Sequence, residues 1–129
     1  MVAEDSGFVF RDQSPSSAVL GDGGIYSSVR DLFRWDQALY SDRLVSLATL
    51  ERAFTPGLLN DGTSTGYGHG WRLDSYRGRR RMHHTGSTCR FATLIHRYPD
   101  DRFAVIVLTN RNEPSVMAVG DRLTELFLP

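Results

Sequence analysis

The stretch from Phe91 to Thr109 constrains this chain most. Phe91–Tyr98 and Phe103–Thr109 are two runs rich in apolar, β-branched and aromatic residues, and Pro99-Asp100-Asp101-Arg102 separates them. Proline presets one turn dihedral and aspartate hydrogen-bonds its own backbone, so the two runs read as strands of an antiparallel hairpin. A lone hairpin is marginal in water, and this one needs neighbouring strands and a layer over one face.

The preceding residues supply the strands. Gly70–Tyr76 alternates as a strand, Arg77-Gly78 is a turn, and Arg79–Thr85 returns as its partner. Helices supply the layer. Ser28 is a good N-cap with Asp31 three residues on, and Val29, Leu32, Phe33, Trp35 and Leu39 follow at helical spacing. A second short helix runs from Ser46, carries Leu47, Leu50 and Phe54 on one side, and stops before Thr55-Pro56-Gly57. Near the end, Asn112 is placed to cap a helix with Pro114 near its first turn and an apolar stripe of Val116, Val119, Leu123, Leu126 and Phe127. Residues 1–22 read as an irregular segment with a short strand at Phe8-Val9-Phe10. The order of two helices, four antiparallel strands and one helix predicts an α+β fold, with an antiparallel β-sheet and flanking helices packed mainly on one face, in one domain over residues 1–129.

Charge and composition exclude several functions. Fifteen acidic residues balance fifteen basic ones, so a non-specific nucleic-acid binder, which needs a basic excess, is not expected. The N-terminus shows neither a basic nor an apolar leader region, and no apolar run approaches the roughly 20 residues of a membrane span. A soluble chain without its own export signal is expected, with the compartment left open. Cys89 is the only cysteine, which rules out an internal disulfide. All fifteen basic residues are arginine, so no mechanism that needs a lysine of this chain is available to it.

Three motifs stand in a row. Gly23-Gly24-Ile25-Tyr26-Ser27-Ser28 leads to Asp31-Leu32 and Trp35; Tyr67-Gly68-His69-Gly70-Trp71 opens the first strand pair; His84-Thr85-Gly86-Ser87 is followed by Phe91 and a strand pair ending at Leu108-Thr109-Asn110. In order and spacing they resemble the C-terminal portion of the serine β-lactamase-like and penicillin-binding-protein-like hydrolases, over roughly residues 20 to 112. That resemblance implies a partial β-lactamase-like (transpeptidase-like) domain and acyl transfer, in which a serine attacks a lactam, peptide or ester carbonyl and water releases the acyl group. No cofactor is expected, and the four histidines show no metal-ligand spacing.

The resemblance also implies roles. His84 stands where many members carry lysine, and there it would hold a substrate carboxylate and help relay a proton. Histidine is only partly charged near neutral pH, with a reference pKa of about 6.5, so carboxylate anchoring would be weaker and more pH-dependent; this tilts the expectation toward esters or peptides. Thr85 would offer a hydroxyl to the same carboxylate. Gly86 would let a substrate backbone lie close. The backbone N–H of Ser87 would be one oxyanion-hole donor, worth a few kcal/mol of transition-state stabilisation at most. Arg90 occupies a position where the family commonly has glycine and would crowd or recharge the cleft mouth. The family's S-x-x-K nucleophile box and its Y-x-N or S-x-N box have no counterpart in this chain.

Other features read more plainly. Adjacent strand residues face opposite ways, so His83 and His84 cannot both enter one site, and His83 is assigned to surface or packing. His69 and His96 are ordinary polar side chains, Trp35 and Trp71 core anchors, and Cys89 an incidental thiol. Gly62-Thr63-Ser64-Thr65-Gly66 fits G-x-S-x-G but lacks the strand before and helix after that a nucleophile elbow requires. Arg77 to Arg81 are read as a solvated hairpin edge. The leading expectation is a hydrolase fragment inactive alone. The alternatives are a non-catalytic module that binds a carboxylate or peptide along the H-T-G strand, and one half of a complementing two-chain hydrolase. Expected partners are a small-molecule or peptide substrate of the complete domain and a second copy pairing or swapping through the exposed edge of Phe103–Thr109, with no nucleic acid and no membrane.

Overall fold

A computed structural model of the chain describes residues 2–4, 7–9, 21, 23–88, 91–111 and 113–128. The elements are β1 (Val2–Glu4), β2 (Gly7–Val9), α1 (Val29–Ala38), α2 (Leu47–Ala53), β3 (Arg72–Tyr76), β4 (Arg79–Thr88), β5 (Phe91–Tyr98), β6 (Phe103–Thr109) and α3 (Val116–Phe127). Strands β3-β4-β5-β6 form one four-stranded antiparallel sheet in sequence order, while β1 and β2 pair only with each other. The α+β architecture with an antiparallel sheet and flanking helices is as expected, but the helices cover both faces and not mainly one, α1 meeting Arg97 of β5 and α3 meeting Leu94 and His96 on the opposite side. The N-terminal segment is not wholly irregular, because β1 gives the expected strand at Phe8-Val9 a hairpin partner. Among the described residues that hairpin does not join the larger sheet and β6 is an edge of it; Phe10 itself lies outside the described residues.

Local chemistry sets the element ends. Ser28 accepts the Asp31 N–H at 3.1 Å and donates its hydroxyl to the Asp31 carboxylate at 2.8 Å, fixing the start of α1. Ser46 caps α2 in the same way through the Thr49 N–H. Arg77 (φ 53°) and Gly78 (φ 78°) are both left-handed, the two-residue turn whose twist matches its strands. The third helix begins later than expected. Its N-cap is Ser115, Pro114 precedes the helix instead of entering its first turn, and Asn112 lies outside the described residues.

Each sheet face carries a charged hub. On the α1/α2 face, Leu39, Leu50, Trp71 and Met82 form the apolar core. Beside them the Arg97 guanidinium pairs with Asp36 of α1, both side chains being 1 % exposed. Tyr40, Phe54 and Trp71 surround that guanidinium at 4.9, 5.5 and 5.6 Å. Helix α1 therefore docks through a carboxylate, and the expected apolar face is only partly used. Leu39 is buried, Val29 and Phe33 remain about half exposed, and Trp35 stacks on Trp71 at 5.9 Å while still exposed.

On the α3 face, Arg81 is buried and binds Asp74 of β3 at 2.6 and 2.9 Å and Asp121 of α3 at 2.9 Å. The expected solvated run at Arg77–Arg81 is corrected here. Alternation turns Arg81 inward, while Arg80 faces out to Asp100 and Arg79 pairs with Asp101. His83 and His96 pack edge-to-face at 5.5 Å beside this hub, with both His96 ring nitrogens buried and lacking a hydrogen bond. Helix α3 sits close because Gly120 faces them; a Cβ there would stand 2.2 Å from Leu94 Cδ2. Burial first, then the Arg81 and His83 charges, push the His96 pKa down to about 4.

Two outcomes follow from these hubs. Asp36→Ala strands a buried arginine and should cost about 3–5 kcal/mol, read as a lower urea midpoint. Because the folded His96 pKa lies below that of an unfolded histidine, acid favours unfolding. Its contribution is complete above pH 6.5, is lost as pH falls toward 4, and is on the order of 3 kcal/mol. Urea unfolding at pH 7 and pH 4.5 should show that loss, and His96→Phe should flatten it.

Candidate functional site

Strand β4 is longer than its expected span and outruns β3. The β3–β4 register ends at Arg72↔His83, whereas β4 continues against β5 through Thr88↔Phe91. At Thr85, Gly86 and Ser87 the side of β4 away from β5 has no pairing strand among the described residues. Gly86 and Ser87 are exposed, and His84 and Thr85 are half-buried. The expected site residues thus share an open strand edge with backbone groups available to a second extended chain.

The loop before β3 faces the start of this edge. Tyr67 bridges Arg72 in antiparallel fashion, and its side chain reaches His84, placing the phenolic oxygen 2.8 Å from His84 Nε2. The rings meet edge-on at 6.0 Å, and the Arg72 guanidinium lies 5.8 Å from the centre of the Tyr67 ring. Two glycines hold the loop there. A Cβ on Gly68 would stand 2.2 Å from the Ala53 carbonyl oxygen at the end of α2, so only glycine fits. Gly70 adopts φ 78°, and the His69 N–H donates to the Ala53 oxygen at 2.9 Å.

Alternation along β4 separates the expected residues. His84 and Gly86 project on the α1/α2 face with Met82, and Thr85 and Ser87 project on the α3 face with Arg81 and His83. His84 and Thr85 therefore meet at the edge and not side by side on one face. A Cβ on Gly86 would come within 2.6 Å of Thr93 Oγ1, so glycine here also satisfies the neighbouring strand. Arg90 and Cys89 lie outside the described residues. Ser64 of the G-x-S-x-G stretch lies in an exposed loop, bridged to Leu58, with no helix after it. Among the described residues, no three His, Cys, Asp or Glu side chains converge as metal ligands, and no helix is long and apolar enough to cross a membrane.

Tyr67 is the site residue that sequence reasoning left without a role. It stands 17 positions before His84, and only the Arg72↔His83 register together with the Tyr67–Arg72 bridge brings the two together. Its one signal was membership of the Tyr67-Gly68-His69-Gly70-Trp71 segment.

Comparison with known proteins gives this edge its context. The Beta-lactamase family model matches residues 2–128. Penicillin-binding protein 4* of Bacillus subtilis (strain 168) is 42 % identical over 96 residues, covering 74 % of this chain and 21 % of that protein. The D-aminopeptidases of Brucella ovis and Brucella canis are each 29 % identical over 91 residues, covering 70 % of this chain and 18 % of theirs. The chain thus spans about a fifth of the length of these curated relatives. With a family match over residues 2–128, nearly its whole length, the chain belongs to the Beta-lactamase family.

Proposed function

We propose that this chain forms the substrate-facing wall of a serine acyl-transfer cleft and is inert without a nucleophilic wall from another polypeptide segment. The observation that carries the reading is the open edge of β4 at Thr85–Ser87 beside the Tyr67–His84 pair. An extended acyl substrate would lie along that edge through backbone hydrogen bonds. His84 would bind its carboxylate or carbonyl and relay a proton to the leaving group. Thr85 would add a hydroxyl at the edge, Gly86 would allow close approach, and the Ser87 N–H would donate to the developing oxyanion. Arg90 would stand at the cleft mouth. The nucleophile and its lysine must come from elsewhere, since the chain has no lysine to complete S-x-x-K. Penicillin-binding and D-aminopeptidase relatives favour a substrate carrying an amide or lactam carbonyl with a nearby carboxylate.

A chromogenic lactam and a nitrophenyl ester offered to the pure chain should show no turnover above buffer. Turnover abolished by His84→Ala would overturn the inert reading and place a nucleophile within these residues.

The complementing-chain reading has its own support. Among the described residues no strand pairs with the far side of β6, and Ile25, Val29 and Phe33 leave apolar surface exposed. Both features suit a second polypeptide that adds strands and covers that surface. In the absence of such a segment, a second copy would pair through β6. Light scattering should then give a mass rising with concentration, and Leu108→Pro, at a β6 position whose N–H points away from β5, should abolish that rise; a monomer at millimolar concentration would refute it.

A further inference from the structure

Histidine in a lysine's place poses a chemical problem. A lysine ammonium donates hydrogen bonds at every pH near neutrality, whereas a neutral imidazole has one donor and one acceptor, and in water it favours the tautomer protonated at Nε2. In that tautomer His84 would spend its only donor on Tyr67 and present Nδ1 as a bare lone pair. A carboxylate or carbonyl oxygen would be repelled by it.

Resting on the reading that His84 faces substrate, we infer that Tyr67 is the positioning residue that keeps His84 a donor at Nδ1 in both protonation states. With the ring neutral, the Tyr67 hydroxyl donates to Nε2, which places the proton on Nδ1. With the ring charged, Nε2–H donates to the Tyr67 oxygen, the hydroxyl hydrogen turns outward, and Nδ1–H remains. Partial exposure of Tyr67 leaves room for that rotation.

Arg72 sets the direction of the bond. Its guanidinium, 5.8 Å from the Tyr67 ring centre, draws on the ring's electron density and makes the hydroxyl a better donor and a poorer acceptor. No other described residue hydrogen-bonds the His84 ring, so Nδ1 stays available. The loop that holds Tyr67 is itself fixed by the Gly68–Ala53 contact, so the pair arrives assembled. The site would then offer its ligand oxygen a hydrogen-bond donor whether or not the His84 ring is charged.

The test is long-range proton–nitrogen NMR of the imidazoles at pH 8, with exposed His69 as internal reference. Wild-type His84 should show the Nδ1–H pattern, Tyr67→Phe should return it to Nε2–H, and Arg72→Met, which leaves the tyrosine in place, should give a mixture; His69 should not change. An Nε2–H pattern in the wild type, or no change in Tyr67→Phe, would overturn the inference. Titration with N-acetylglycine then separates it from the reading beneath it. Tyr67→Phe should weaken binding about 3- to 10-fold at pH 8 and leave it unchanged at a pH where the spectra show a charged His84 ring. If the tautomers behave as stated but N-acetylglycine leaves the wild-type His84 signals unmoved, the substrate-facing role fails while the positioning stands. If binding occurs but weakens equally at both pH values, Tyr67 is a ligand contact and the positioning role is refuted.

Discussion

The Asp36–Arg97 pair is the joint on which the rest of the structure rests. Two charges taken fully out of water are stable only with mutual pairing and further favourable contacts, and here the contacts come from three separate parts of the chain. Tyr40 follows α1, Phe54 ends α2 and Trp71 opens β3, and all three rings stand around one guanidinium. A lysine could not serve there, because its compact ammonium lacks the flat faces that several rings can flank. The pair therefore fixes at once where both helices lie and where the sheet begins.

That joint also governs the site indirectly. Trp71 stands next to Arg72, and the loop carrying Tyr67 folds back over both through the contact with Ala53. Positioning of the Tyr67–His84 pair thus passes from the buried ion pair through Trp71 and the end of α2. The second hub acts on the other face. Arg81 gathers β3 and α3, and burial together with its charge lowers the pKa of both His83 and His96. Each face of the sheet is thus organised around one buried arginine.

Much of this was legible beforehand, for identifiable reasons. The hairpins at Arg77-Gly78 and Pro99–Arg102, the cap at Ser28 and the span of β5 and β6 follow from local chemistry, and the structure reproduces them. The family followed from three spaced motifs. What escaped was non-local. An aspartate inside an amphipathic helix reads as solvent-facing unless its arginine, 61 residues away, is known. Arg81 looked like one of several surface arginines until the pleat assigned it a face. Trp35 and Phe33 read as core, yet their side chains stay exposed among the described residues. The edge at Thr85–Ser87 exists only because β4 outlasts β3, a length difference that composition does not reveal.

The pleat of β4 gives that edge a reading frame. Any extended chain that pairs with it advances by about 3.3 Å per residue and turns successive side chains to opposite faces. One set of positions meets His84 and Gly86, and the interleaved set meets Thr85 and Ser87. A bound chain displaced by a single residue would exchange every side chain between an imidazole-lined face and a hydroxyl-lined one. Discrimination among ligands can then come from phase as well as from fit, since backbone pairing is indifferent to sequence while the face each side chain meets is not.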